Sequence, residues 1–534
     1  MAAPEKNTGQ SPCVFGAGRL LPSIDVISKE IDGVRSDDDI EHIHNMRVAS
    51  RRLRAALPLF SACFPEKEYR FWMREIKKIT RALGAARDTD VRIAFLKKYL
   101  KAREVPVPKD TDGPAPAQSD ARNHLYGYLS RLKKQRGALQ HEVVSVIDEF
   151  EKTQVIPGIR AACPALAGSG RKRPGRYSGL VPVAADHIGK RRAGVFRYAP
   201  FVHNPDAVFE HHAMRIAAKK LRYTMETYAP LYRNNLKKEI AGIKKLQELL
   251  GSIHDCDVWI EQMTLAITKQ RSRRHPDGDL PGAGVSAIAP YRELLADREH
   301  ERARFYRQLV RYWDTLLSAG FWDKLDRTLL EGQKKVHSYH PPASDNDEKE
   351  AFVRLLAVAP EQAAHSRTVA GLALRLFDEL SPLHGLSPRD RTLLLYAALV
   401  HDIGWTAGQA GHQKKSAELI LSCGDLPVPV REQGIIALVA GLHGANEEFR
   451  PTGFWYLLSP SDQHRVRALA AILRVADGLD YLHAGTVTDL HCTIGATEVQ
   501  CSPVCTGDAL TEKARAAKKS ALFTDVFGKT LVIS

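Results

Sequence analysis

No apolar run in this 534-residue chain reaches the roughly 18 residues of a membrane-spanning helix, so no span is expected. The opening stretch, "MAAPEKNTGQSPCVFGAG", lacks the charged-then-apolar layout of a secretory signal. The eight cysteines include no CxxC pair, and the nearest two, Cys501 and Cys505, have no neighbouring His–Cys partner. They read as reduced thiols of a cytoplasmic protein, not as a disulfide framework or a zinc finger. No Gly-rich phosphate loop is present. Strand-like alternation is scarce before about residue 335.

What is present is helical periodicity and unevenly placed charge. Hydrophobic residues make up 44%, enough for two or three globular domains in a chain of this length. The net charge is +15. Residues 345–534 hold 18 Lys/Arg against 22 Asp/Glu, a net of −4, so the first 344 residues carry the remaining +19. A split of this kind points to a basic part that meets a polyanion and a second part of different purpose.

Three Pro/Gly/Ser-rich stretches, 105–120, 163–180 and 271–284, read as loops between helices. Residues 337–350, "HSYHPPASDNDEKE", read as an interdomain linker, and His337 and His340 belong to it despite their ligand-like spacing. The expected organisation is a basic region 1–336, with halves at about 20–155 and 185–335, followed by a domain at 351–534. Helices are expected at 361–380, 388–402, 430–442 and 463–479. A small appendage of short strands and one helix should end the chain.

The basic region repeats itself. "HNMRVASRRLR" (44–54) returns as "HAMRIAAKKLR" (212–222), and "LGAARDTDV" (83–91) returns as "LGSIHDCDV" (250–258). At about 100° per residue, His44, Arg47, Arg51 and Arg54 fall within roughly 80° of one helix face, and His212, Arg215, Lys219 and Arg222 do likewise. Arg52 and Lys220 accompany them. Arg74, Lys77, Lys78 and Arg81 form another stripe, with Lys244 and Lys245 at the comparable place in the second half. Like charges four apart repel by a few tenths of a kcal/mol per pair. Such stripes need an anion, or carboxylates from neighbouring helices. Asp88, Asp90, Asp255 and Asp257 are the carboxylates at hand.

These paired motifs resemble the CHAD family of helical domains, over roughly residues 20–335. The resemblance implies two related four-helix bundles around a basic channel that binds inorganic polyphosphate. The second half departs from it in using lysines at 219 and 220. Nucleic acid is the competing polyanion. It ranks second, since no nucleic-acid motif is visible and aromatics do not interleave with the basic stripes.

Beyond residue 350, histidines and aspartates interrupt apolar helical stretches. His365 opens one, the doublet His401–Asp402 ends another before Gly404, a helix stop, and His412, His443 and Asp477 follow. Imidazole and carboxylate together suit a divalent metal such as Mn, Mg or Fe. The order H…HD…D resembles the HD superfamily of metal-dependent phosphohydrolases. The run "HSRTVAGLALRLFDEL", "LYAALVHDIG", "GHQKKSAELI", "IIALVAGLHG", "LAAILRVADGLD" and "LFTDVFGKTLVIS" is similar to the C-terminal region of the exopolyphosphatase/guanosine pentaphosphate phosphatase family. That family's actin-like region is absent.

The resemblance implies metal ligation by His365, His401, Asp402 and Asp477, with His412 and His443 second and His401 and Asp402 catalytic. Lys414, Lys415 and Arg474 are candidates for substrate phosphate. The expectation is a mostly α, cytoplasmic, polyphosphate-binding protein, sited on polyphosphate granules in one reading. Its HD region hydrolyses polyphosphate or a phosphorylated nucleotide. The alternative is a non-catalytic targeting module whose HD region is a scaffold or homodimer interface.

Overall fold

The computed structural model describes residues 12–103, 118–168, 180–232, 236–272, 283–331, 345–424, 426–444 and 452–534. The cores of the three loop stretches lie outside these residues, as do His337 and His340. The acidic end of the 337–350 stretch is helical from Asp345.

The fold is mostly α. The first half of the basic region runs through α1 (Pro12–Ser36), α2 (Ile40–Ala56), α3 (Glu66–Lys101), α4 (Gln118–Lys152) and α5 (Val155–Gly168). The second half repeats the order as α6 (Leu180–Phe196), α7 (Val208–Tyr228), α8 (Lys237–Ser272), α9 (Ala283–Ser318) and α10 (Phe321–Glu331). Each half therefore adds a fifth, shorter helix to the four expected. Asp39 caps α2, its carboxylate accepting the Glu41 N–H at 2.9 Å. The first motif lies on α2 and α7, the second on α3 and α8.

The halves meet at two apolar places. At one end Phe15 and Phe60 pack on Tyr228, with ring centroids 5.9–6.2 Å apart. At the other, Leu96, Tyr99 and Leu129 join Trp259, Met263 and Tyr291 in a separate small core. Helices α2 and α7 also pack against each other. Their charged faces are thus held between two dry contacts, and hydrophobic burial supports the juxtaposition of like charges.

One cysteine reading is corrected. Cys13 and Cys63 are disulfide-bonded, and among the described residues no other cysteine forms a disulfide. The pair lies 50 residues apart and is brought together by the return of α2 along α1, which no local spacing reveals. Among the described residues no helix is long and apolar enough to cross a membrane.

The second part comprises α11 (Asp345–Leu356), α12 (Ala363–Glu379), α13 (Ser381–His384), α14 (Pro388–Val400), α15 (His412–Ser422), α16 (Val430–Gly441) and α17 (Pro460–Gly478). All residues from Ala468 to Gly478 are buried, so α17 is the central rod of this domain. α12, α14 and α16 pack around it. The chain ends in β1 (Val487–Ile494), β2 (Glu498–Cys505), α18 (Leu510–Lys519), α19 (Ala521–Phe527) and β3 (Thr530–Ile533). β1 and β2 pair antiparallel, while β3 lies parallel to β2, with Val499 opposite Leu531. The helical crossover that a parallel pair requires is α18–α19, which lies back on α17.

The two parts share a tight seam. A Cβ on Gly189 of α6 would lie 2.2 Å from the Gly453 carbonyl oxygen, and one on Gly453 would lie 1.8 Å from the Asp186 carbonyl oxygen. Asp186 Oδ1 also accepts the Phe454 N–H at 2.9 Å. Because backbone faces backbone, neither side can yield by a rotamer change. Gly453→Ala should cost on the order of 1–3 kcal/mol as overpacking, seen as a lower urea midpoint. Gly194→Ala, on the same α6 with nothing within 4 Å of its added methyl, should be neutral or stabilising.

Candidate functional site

The cationic stripes converge only in part. Arg47, Arg51 and Arg54 from α2 meet Arg215 and Lys219 from α7. Burial first, and then Arg51, Arg215, Arg47 and Arg54, push the Lys219 ammonium down to about 7. Burial likewise lowers Arg47 and Arg215, although Asp88 and Asp255 work against it. The Asp88 carboxylate accepts from Arg47 at 3.1 Å. Each half therefore places one carboxylate of its RDTD or HDCD sequence against the stripe.

The second carboxylate of each motif does something else. Asp90 accepts from Arg136 of α4 at 2.8 Å, and Asp257 is paired with Arg302 of α9. Two residues along a helix is about 200°, so the two aspartates of a DxD face opposite sides. Asp88 and Asp255 face the stripes, while Asp90 and Asp257 bolt the neighbouring helix in place.

The other expected cations divide. Arg52 and Lys220 are exposed, about 140° around their helices from Arg47 and Arg215. Arg74 pairs with Glu75 at 2.8 Å, and Lys78 with both Glu75 and Glu149 at 3.0 Å. Arg222 reaches Glu226 at 3.5 Å, and Lys244 reaches Glu248 at 3.7 Å. Lys245 sits over the Tyr312 ring at 4.5 Å. Lys77 and Arg81 are exposed on the same face of α3 as Asp88.

His44 has a buried Nδ1 with no hydrogen-bond partner. His212 faces His254, Nδ1 to Nδ1, at 3.1 Å, so one ring must offer a lone pair to the other's N–H. Burial and then Arg215 push His254 down to about 4. His254 was not singled out in the sequence. The available signal was its place in the second motif, where the first half has Arg87.

In the second part all six expected ligands come together. His365 stands on α12, His401 and Asp402 follow α14, His412 opens α15, His443 follows α16, and Asp477 is on α17. Gly404 is not a helix stop. It lies inside the 3-10 turn Ile403–Ala407, where an added Cβ would meet the His412 carbonyl oxygen at 2.1 Å. Its missing side chain lets the His401–Asp402 turn press against the start of α15, and Ser416 Oγ accepts the Gly404 N–H at 2.9 Å.

Every histidine of the set has its Nδ1 occupied. His401 donates to the Ala398 carbonyl at 2.7 Å, His412 to Gln409 at 2.7 Å, His443 to Ala440 at 2.6 Å, and His365 to the Asp480 carboxylate at 2.8 Å. The four Nε2 atoms are left to point inward. Those of His365 and His401 lie 3.3 and 3.6 Å from Asp477 Oδ1. Those of His412 and His443 lie 3.3 and 3.2 Å from Asp402 Oδ1 and 3.1 Å from each other. Two imidazole lone pairs cannot face each other so closely without a proton or a cation between them. His365 Nε2, His401 Nε2 and Asp402 Oδ1 are buried without a hydrogen-bond partner. Orphaned donors of this chemistry fit a divalent metal.

The electrostatics agree. Burial alone would raise the Asp402 and Asp477 carboxyls, yet the surrounding imidazoles hold both well below the usual carboxylate range. His365 is disfavoured as a cation by burial, but Asp477 and Asp480 hold it up at about 9. Two partners were not foreseen. Asp480, quoted in the motif but given no role, orients His365. Lys519 of α18 is ion-paired with Asp477 Oδ2, and a Cβ on Gly478 would stand 2.5 Å from Ala516 Cα, so that glycine admits α18. Of the phosphate candidates, Lys414 is exposed, Lys415 pairs with Glu418 at 3.4 Å, and buried Arg474 donates to the Leu442 carbonyl at 2.6 Å.

Comparison with known proteins follows the same division. The family model "CHAD domain" matches residues 19–264, and the model "HD-CE" matches residues 360–481. A solved structure, the crystal structure of the CHAD domain from the plant Ricinus communis, is 21% identical. The match covers 58% of this chain and 95% of that one, with a TM-score of 0.41. No curated protein matches the chain. The basic N-terminal part thus carries a CHAD domain, and the C-terminal part carries an HD-type domain.

Proposed function

We propose that the CHAD domain binds inorganic polyphosphate along the α2–α7 cluster, and that the HD domain is a metal-dependent phosphohydrolase. Its substrate would be polyphosphate or a phosphorylated nucleotide. The observation that carries the reading is Lys219, a half-buried ammonium on which the strongest charged influences are four arginines. Such a cluster is relieved by an anion with closely spaced charges. Guanidinium groups meet phosphate oxygens in paired hydrogen bonds, and lysines meet them as point charges. Arg51→Ala should weaken polyphosphate binding about ten- to hundredfold, the loss of one charge-assisted contact. Arg52→Ala should have little effect. Single-stranded RNA and DNA should compete poorly in the same assay, and equal nucleic-acid binding would overturn the choice of polyanion.

Protonation gives a second test. Lys219 is depressed to about 7 in the free protein, and a bound phosphate would raise it again. Only the charged form attracts the anion, so affinity is fully present well below pH 7 and declines as the pH rises through 7. Lys219→Arg, which stays charged throughout, should bind polyphosphate and flatten that decline. An identical pH profile in the two proteins would remove Lys219 from the site.

In the HD domain, His365, His401 and Asp477 would hold a metal, with Asp402 beside them. Asp402, His412 and His443 would be the residues for a second. The bound metal would supply an activated water and offset phosphoryl charge. The chain's own residues fix the donors. Backbone carbonyls and Asp480 lock the imidazole tautomers, and the apolar flanks of α14, α16 and α17 keep bulk water out. Phosphate release from polyphosphate and nucleotides with Mn, Mg or Fe should fall by at least about a hundredfold in Asp402→Ala. Activity that survives the substitution would exclude this centre.

A further inference from the structure

The turn after α17 brings one more imidazole to the centre. His365, Asp402 and His483 each offer a ligand atom, all within 4.8 Å of one another. The His483 ring stacks on His365, with centroids 3.7 Å apart and planes 7° from parallel. Unlike the other histidines it is exposed, so it lies on the solvent side of a buried set.

His483 is held there at a cost. Its φ is +56°, in the left-handed region that a non-glycine residue seldom adopts. Asp480 organises the strained turn. Its carbonyl accepts the His483 N–H at 2.9 Å, and its Oδ1 accepts the Gly485 N–H at 2.9 Å. The other carboxylate oxygen, Oδ2, orients His365 at 2.8 Å. One aspartate therefore sets both the buried histidine and the backbone that carries the exposed one. Local strain supported in this way is a feature of ligand clamps and catalytic sites.

We propose that His483 is a further ligand of the metal centre, closing its solvent side over His365 and Asp402. The cation would be a borderline divalent ion, for which an added imidazole is a suitable donor. The proposal rests on the metal reading above. It assigns to the α17–β1 turn a part in metal retention.

The test uses the full-length chain, freed of metal and titrated with Co(II), whose visible absorption reports its ligands. Affinity is obtained by competition with a chromophoric chelator. His483→Asn removes the imidazole but tolerates the left-handed backbone, and Leu482→Ala is the neighbouring exposed control. His483→Asn should bind Co(II) about tenfold more weakly or worse, the scale seen even for loss of an outer partner. Its absorption band should change, while its metal-free unfolding midpoint stays at or above that of wild type. Leu482→Ala should match wild type in all three. Unchanged affinity and band in His483→Asn, beside a wild type that binds Co(II), would overturn this proposal alone. A wild type that takes up no Co(II) would overturn the metal reading and this proposal with it.

Discussion

Like charges do not gather unaided, and the N-terminal part depends on a packing that makes them gather. Arg47, Arg51, Arg54, Arg215 and Lys219 come from two helices that would separate if electrostatics alone decided. Phe15, Phe60 and Tyr228 at one end, and Trp259, Tyr99 and Tyr291 at the other, hold the halves together. The apolar contacts stabilise an arrangement that is electrostatically unfavourable by itself. Two aspartates, Asp88 and Asp255, moderate the field without cancelling it.

The C-terminal part solves the opposite problem. Its core gathers four imidazoles and two carboxylates, of which His365 Nε2, His401 Nε2 and Asp402 Oδ1 are buried without a hydrogen-bond partner. Nδ1 atoms anchored on carbonyls and on Asp480 fix each imidazole so that its Nε2 faces Asp402 or Asp477. Buried polar groups left unsatisfied are costly, and a cation would relieve them. Lys519 and Gly478 join the terminal α+β appendage to the same centre, which makes that appendage part of the site.

Much of the architecture is legible in the chain. The duplicated motifs located two helical halves, and their 3.6-residue spacing placed His44, Arg47, Arg51 and Arg54 on one face. The order H…HD…D picked out residues that do come together. The closing appendage of short strands was also expected, and the structure has β1, β2 and β3 there. Other features were hidden for definite reasons. The Cys13–Cys63 bond joins residues brought together only by antiparallel packing. Gly404 looks like a helix stop because glycine serves both that use and close approach, and only the position of His412 distinguishes them. Asp90 and Asp257 look like partners of the stripe until their neighbours, Arg136 and Arg302, are in place.

The chain by itself determined which residues share a helix face, since that follows from a fixed rotation per residue. It also determined that the first part is basic and duplicated, and that the second carries imidazole and carboxylate at helix ends. Tertiary structure alone decided which cations stay uncompensated, because neutralisation depends on carboxylates from other helices, as Glu149 for Lys78. It alone decided that Asp480, His483 and Lys519 stand beside the histidine–aspartate cluster. Their distances from His365 along the chain carry no record of contact; packing around α17 creates it.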